Sequence, residues 1–168
     1  MSTVPAIAVK SAFEKGGPIP LQFAADGDNA SQAIEWRGEP SAMKSFVIIS
    51  DDPDVAKTKP FTRWLAYDIP ETVTKLREGN SGTPVLQEPK GVKQGANRIG
   101  SVGYTGPKPP VGDPAHHYHF RVFALDIETL DLEPGARRDA VLKAMDPADE
   151  NVADLGEPAT DWPGSGRR

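Results

Sequence analysis

Phe46-Val47-Ile48-Ile49 has no polar face. A strand points alternate side chains to opposite sides, so one that is apolar on both sides must be covered from both, which a solvent-facing hairpin does not require. Residues 45–50 are therefore predicted to form a strand buried between layers, and this commits the chain to a layered architecture. Residues 63–69 and 118–127 show the same clustering of β-branched and aromatic side chains, cut off by turn formers. In residues 116–127 the alternation sets His116, Tyr118, Phe120, Val122 and Ala124 on the predicted inward face. His117, His119, Arg121, Phe123 and Leu125 fall on the other, and the inward face opens into polar residues at its His116 end.

The 168 residues include 16 glycines and 17 prolines, which speaks against a helical bundle. These residues crowd positions 79–114 so densely that a long ordered loop is expected there rather than regular elements. One helix is expected over residues 136–145, opened by Glu133-Pro134, apolar at Ala136, Ala140, Val141, Ala144 and Met145, and stopped by Pro147. The length suits one domain, expected over residues 1–156 with residues 157–168 as a frayed tail.

With no cysteine, disulfides, thiolate metal sites and cysteine nucleophiles are excluded. Nineteen basic against 24 acidic residues leave a net charge of −5, and the basic pairs Arg137-Arg138 and Arg167-Arg168 are too short to track a phosphate backbone, so no nucleic-acid partner is expected. No apolar run approaches the ~20 residues of a membrane helix, and residues 1–13 lack a basic start followed by an apolar stretch. A cytoplasmic protein without a transmembrane segment is the expectation.

Three polar groups could carry chemistry. Asp51-Asp52-Pro53-Asp54 follows the buried strand directly; its carboxylates could line a cleft, or form a turn in which Asp accepts from nearby backbone N–H groups and Pro53 fixes φ. Residues 100–110 have glycine spacing superficially like a dinucleotide loop, but Pro107, Pro109 and Pro110 forbid the helix whose N-terminus would hold the phosphate. What remains is a stiff loop suited to a pocket wall. His116-His117-Tyr118-His119 holds every histidine. His117 and His119 share a face, but no third ligand stands at motif spacing, so neither a metal nor another cofactor is expected. The serine-hydrolase elbow, the zinc-protease helix motif and the phosphate-loop motif are absent, and no catalytic residue is assigned.

Taken in order, Ile19-Pro20, Trp36, Pro40, Lys44-Ser45-Phe46, Asp52-Pro53-Asp54, Trp64, Ile69-Pro70, Gly103-Tyr104-x-Gly106-Pro107-x-Pro109-Pro110, His116-x-Tyr118-x-Phe120 and Ala124-Leu125-Asp126 form a pattern. It resembles the phosphatidylethanolamine-binding protein (PEBP) family, in particular its bacterial Raf-kinase-inhibitor-like branch, over residues 7–156. The resemblance implies an all-β fold: an antiparallel β-sandwich with Greek-key connections and a small C-terminal helix. It also implies an anion pocket at one end of a sheet, lined here by Asp52, Asp54, Arg63, Gly106, Pro107, Lys108, Pro109, His116 and Tyr118.

The sequence departs from the family at Arg63, where a histidine is usual. A guanidinium is permanently charged and grips phosphate through parallel hydrogen bonds, whereas histidine titrates near neutrality. Arg63 either faces the ligand or pairs with Asp52 and fills the pocket. Ala56 stands where a proline is usual, Gln32-Ala33 replaces a Pro-Pro pair, and Asp146-Pro147 interrupts the usual second C-terminal helix. The function implied first is non-catalytic binding of a small anion: phosphate, a phosphorylated head group or a carboxylate. The second is regulation of a kinase or protease through the surface. A third reading comes from the residues rather than the resemblance: weak hydrolysis by Asp52 and His116 with an activated water, since such pairs can act as general bases. For bacterial members the resemblance also implies a homodimer.

Overall fold

The computed structural model describes residues 8–11, 31, 33–37, 43–52, 61–79, 82–97, 99–106, 119–145 and 149–154, with positions 8–11, 52, 61, 119 and 149–154 described by their backbone. The described elements run β1 (Ala8–Ser11), β2 (Ile34–Arg37), β3 (Ser45–Asp52), β4 (Phe61–Pro70), β5 (Lys75–Leu76), β6 (Val85–Gln87), β7 (Lys90–Gln94), β8 (His119–Leu125), α1 (Arg138–Met145) and β9 (Asp149–Asp154). One sheet has the order β6-β7-β4-β3-β8-β9 and the other β1-β2-β5. All recorded strand pairings are antiparallel.

The strand predicted to lie between layers does so. Phe46 and Ile48 pack with Ile34, Trp36 and Leu76 of the smaller sheet. Val47 and Ile49 face the other way, against Leu130 and the α1 residues Val141 and Met145. β4 divides its side chains in the same manner, with Trp64, Ala66 and Ile69 on the sheet side and Leu65 and Tyr67 on the helix side. The change of parity between Ala66 and Ile69 coincides with a register shift opposite Val47 and with Asp68 at φ 56°. That left-handed residue accepts from Leu130 N at 2.9 Å and Thr129 Oγ1 at 2.8 Å, and it pairs with Lys93 at 2.9 Å. Its hydrogen bond to the Lys93 ammonium raises the lysine pKa.

β8 also buries both faces: Phe120, Val122 and Ala124 look to the smaller sheet as predicted, but Phe123 and Leu125 are covered by the helix layer. The sequence therefore understated its burial.

Two further expectations need correction. Residues 79–114 are not all loop, because β6 and β7 form a hairpin there and insert Leu86 and Val92 into the core. The helix starts at Arg138 instead of 136. Gly135 N donates to Gln94 O and Ala136 N to the Tyr67 hydroxyl, while that hydroxyl donates to Glu133 O, so these residues are tied to the sheet before the helix begins. Gly95 permits this approach: a Cβ there would stand 2.6 Å from Ala136 O. α1 ends at Met145 as expected, but the chain then returns as β9 along the β8 edge, an element the sequence did not announce.

Candidate functional site

The C-terminal end of β3 is flanked by the starts of both neighbours. Asp52 pairs with Phe61, the first residue of β4, and Asp51 with His119, the first residue of β8. One residue further in, the β4 register breaks: Ser50 opposes Trp64 while Asp51 opposes Thr62, which leaves Arg63 as the extra residue of a β-bulge. Bulges twist a strand locally and redirect a side chain, and they recur beside functional sites.

Arg63 is only 6% exposed. Its Nη1 donates to Gly106 O at 2.8 Å, and its own carbonyl accepts from Thr105 N at 2.9 Å, so one residue holds the loop by both side chain and backbone. Gly103, at φ 98°, lets that loop turn; a Cβ there would also meet the Gly82 backbone at 3.0 Å. Asn97 Nδ2 donates to Gly103 O and Ser101 Oγ, each at 2.9 Å, and Gly103 N donates to Gly95 O at 3.1 Å. The loop reaching Gly106 is thus fixed before it enters the proline-rich stretch.

Behind Arg63 lies an aromatic floor. Trp64 is fully buried, its Nε1 donates to Gln94 Oε1 at 2.8 Å, and Gln94 Nε2 donates to Thr83 O at 2.8 Å. Tyr104 meets the Trp64 ring edge to face, with centroids 5.8 Å apart and planes at 90°. Burial drives the Tyr104 phenol pKa well above its ordinary value of 10, against a smaller lowering by Arg63. Burial raises that of Tyr67 too. These shifts raise the folded pKa, so their contribution to stability is complete below pH ~10 and is lost as pH climbs through the folded values. Alkaline titration of tyrosinate absorbance should show Tyr67 and Tyr104 remaining protonated past pH ~10. Ionisation of Tyr67 and Tyr104 near pH ~10 in the intact fold would contradict this.

The structure brings together the Asp52 backbone, Arg63 and Gly106 among the candidates taken from sequence. Asp54, Pro107, Lys108, Pro109, His116 and Tyr118 lie outside the described residues, as do Ala56 and the expected tail at 157–168. Arg63 has a partner the sequence did not anticipate, the Gly106 carbonyl. Asp51, grouped by sequence with the other aspartates, instead makes an ion pair with Arg138 Nη1 at 2.5 Å on the helix side. Sequence reasoning gave no role to Gln94 or Asn97, since their part depends on where the hairpin and loop land.

A cavity of about 500 Å³ lies elsewhere, lined by residues that include Ile34, Val73, Leu76, Lys75, Glu88 and Pro89. Its Thr72–Thr74 wall follows Pro70, which opposes Ser45 at the far end of β3. At ~3.3 Å per residue, seven steps of β3 separate that end from Asp52 by about 23 Å. This cavity therefore does not belong to the Arg63 site.

Comparison with known proteins gives a consistent result. The family model for phosphatidylethanolamine-binding protein matches residues 9–155. A UPF0098 protein of Aquifex aeolicus is 47% identical over 132 residues, covering 78% of this chain and 75% of its own. The crystal structure of Escherichia coli YbcL, a member of the mammalian PEBP family, superposes with a TM-score of 0.83 at 28% identity, covering 92% of this chain and 97% of its own. CT736 of Chlamydia trachomatis, a PEBP homologue, gives a TM-score of 0.79 at 32% identity and covers 94% and 99% of the two chains.

Proposed function

The chain belongs to the phosphatidylethanolamine-binding protein family, and from this membership and the Arg63 geometry we infer that it is a non-catalytic binding protein for a small anion. Phosphate or a phosphorylated head group is the ligand class, received at the edge where β3 ends and β4 and β8 begin. The observation that carries this reading is Arg63 itself, a buried guanidinium redirected by a bulge and anchored to the Gly106 carbonyl. Anchoring matters because a pre-positioned guanidinium loses less side-chain freedom when it grips an oxyanion. No step of bond making is assigned to the site.

Because arginine stays charged at every pH the fold tolerates, phosphate should bind on both sides of pH ~6.5, where a histidine-based pocket would lose its charge. Calorimetric titration with phosphate should show Arg63→Gln losing about 10–100-fold in affinity, the equivalent of one hydrogen bond to a charged group, ~1.5–3 kcal/mol. Arg63→Lys should fall between the two, since it keeps the charge but not the fork of donors. Equal phosphate affinity in wild type and Arg63→Gln, with near-ultraviolet dichroism showing the fold intact, would remove Arg63 from the site.

A further inference from the structure

Alternation along β3 places Ser50 on the same side as Phe46 and Ile48, between the two sheets. It is fully buried, and among the described residues its Oγ makes no hydrogen bond. A buried hydroxyl without a partner is costly, and alanine or valine would avoid that cost in the same strand. Serine commonly escapes it by bonding to a nearby backbone group, yet Ser50 does not. Its position is specific: it opposes Trp64 on β4 and Phe120 on β8, it lies beside the bulged Arg63, and it precedes Asp52 by two residues. On the face between the two sheets, Ser50 is thus the last β3 position before Asp52 at the site edge.

We propose that the Ser50 hydroxyl is the inner donor of the anion site and selects tetrahedral oxyanions over planar carboxylates. The inference rests on the anion-binding reading of the same site. A guanidinium takes two oxygens of an anion in its own plane. A carboxylate then offers only the remaining lone pairs of those same two oxygens, which lie in the guanidinium plane, whereas a phosphate has a further oxygen out of that plane that can be turned inward to accept from Ser50 Oγ–H. Binding would satisfy a donor that the unliganded fold leaves unsatisfied, so the gain includes relief of that cost.

The test titrates phosphate and acetate into wild type, Ser50→Ala and Ser50→Cys, with thermal unfolding of each variant alone. Ser50→Ala is expected to lose about tenfold in phosphate affinity while acetate affinity is unchanged and the unliganded protein is as stable as wild type or more so. Ser50→Cys, with a weaker donor of similar shape, should fall between, and it supplies the comparison if the alanine variant does not fold. Equal phosphate affinity in wild type and both variants overturns the inference and leaves the anion site standing. A parallel loss for phosphate and acetate also overturns it, because it marks a general disturbance of the pocket. A wild type that binds neither anion overturns the anion reading and this inference together.

Discussion

Trp64→Ala is expected to destabilise the fold by about 3–5 kcal/mol, the usual range for deleting a fully buried large aromatic. Trp64 has no exposed surface, so the deleted ring leaves a cavity between the sheets that Ser50 and Phe120 on the adjoining strand positions cannot fill without moving the backbone. The edge contact with Tyr104 and the hydrogen bond from Nε1 to Gln94 are lost as well. Trp64→Phe retains most of the packing and removes the indole donor, so its cost should stay near ~1–2 kcal/mol. Urea unfolding of the three proteins checks the pair of values. A cost below ~1 kcal/mol for alanine would mean that this floor is not close-packed.

Asp51→Asn should cost about 3 kcal/mol, the lower end for breaking a buried ion pair. Asp51 is almost wholly buried, while the Arg138 side chain keeps 19% of its surface and can turn partly to water, which limits the penalty. The bond ties the penultimate residue of β3 to the first residue of α1, so its loss should loosen the helix layer before the sheets. A double-mutant cycle with Arg138→Gln isolates the coupling. A coupling energy near zero would show that the two side chains act independently, and the packing of Val141, Met145 and the partly buried Ala144 would then hold the helix without this pair.

Much of this architecture was legible because burial on two faces leaves a simple mark. Phe46-Val47-Ile48-Ile49 could only be a strand between layers, and the structure divides these four residues evenly between the two hydrophobic clusters. The β6–β7 hairpin left almost no such mark. Only Leu86 and Val92 point into the core, the remaining positions are polar, exposed or glycine, and the pairing with β4 supplies what propensity does not. β9 reads Asp149-Glu150-Asn151-Val152-Ala153-Asp154, poor in strand formers, and it exists as the partner of the β8 edge.

The site divides along the same line. Residue identity was readable: Arg63 stands out beside Trp64, and Gly106 opens the proline-rich stretch. Geometry was not. That Arg63 is a bulge residue follows from the register of β3 against β4, a long-range property with no local signature. The orphaned hydroxyl of Ser50 was equally hidden, because a serine in an apolar strand reads as unremarkable until its neighbours are placed.

Whether a permanent cation at the sheet edge receives a phosphate-type anion is decided by a backbone-amide NMR titration with phosphate and then phosphoethanolamine, run about one unit below and above pH ~6.5. Saturable shifts clustered at Asp52, Arg63, Thr105, Gly106 and His119 are expected at both pH values. Absence of such shifts at millimolar ligand, or shifts confined to the acidic side, would contradict this: the first denies an anion site at this edge, and the second assigns the charge to histidine instead of Arg63.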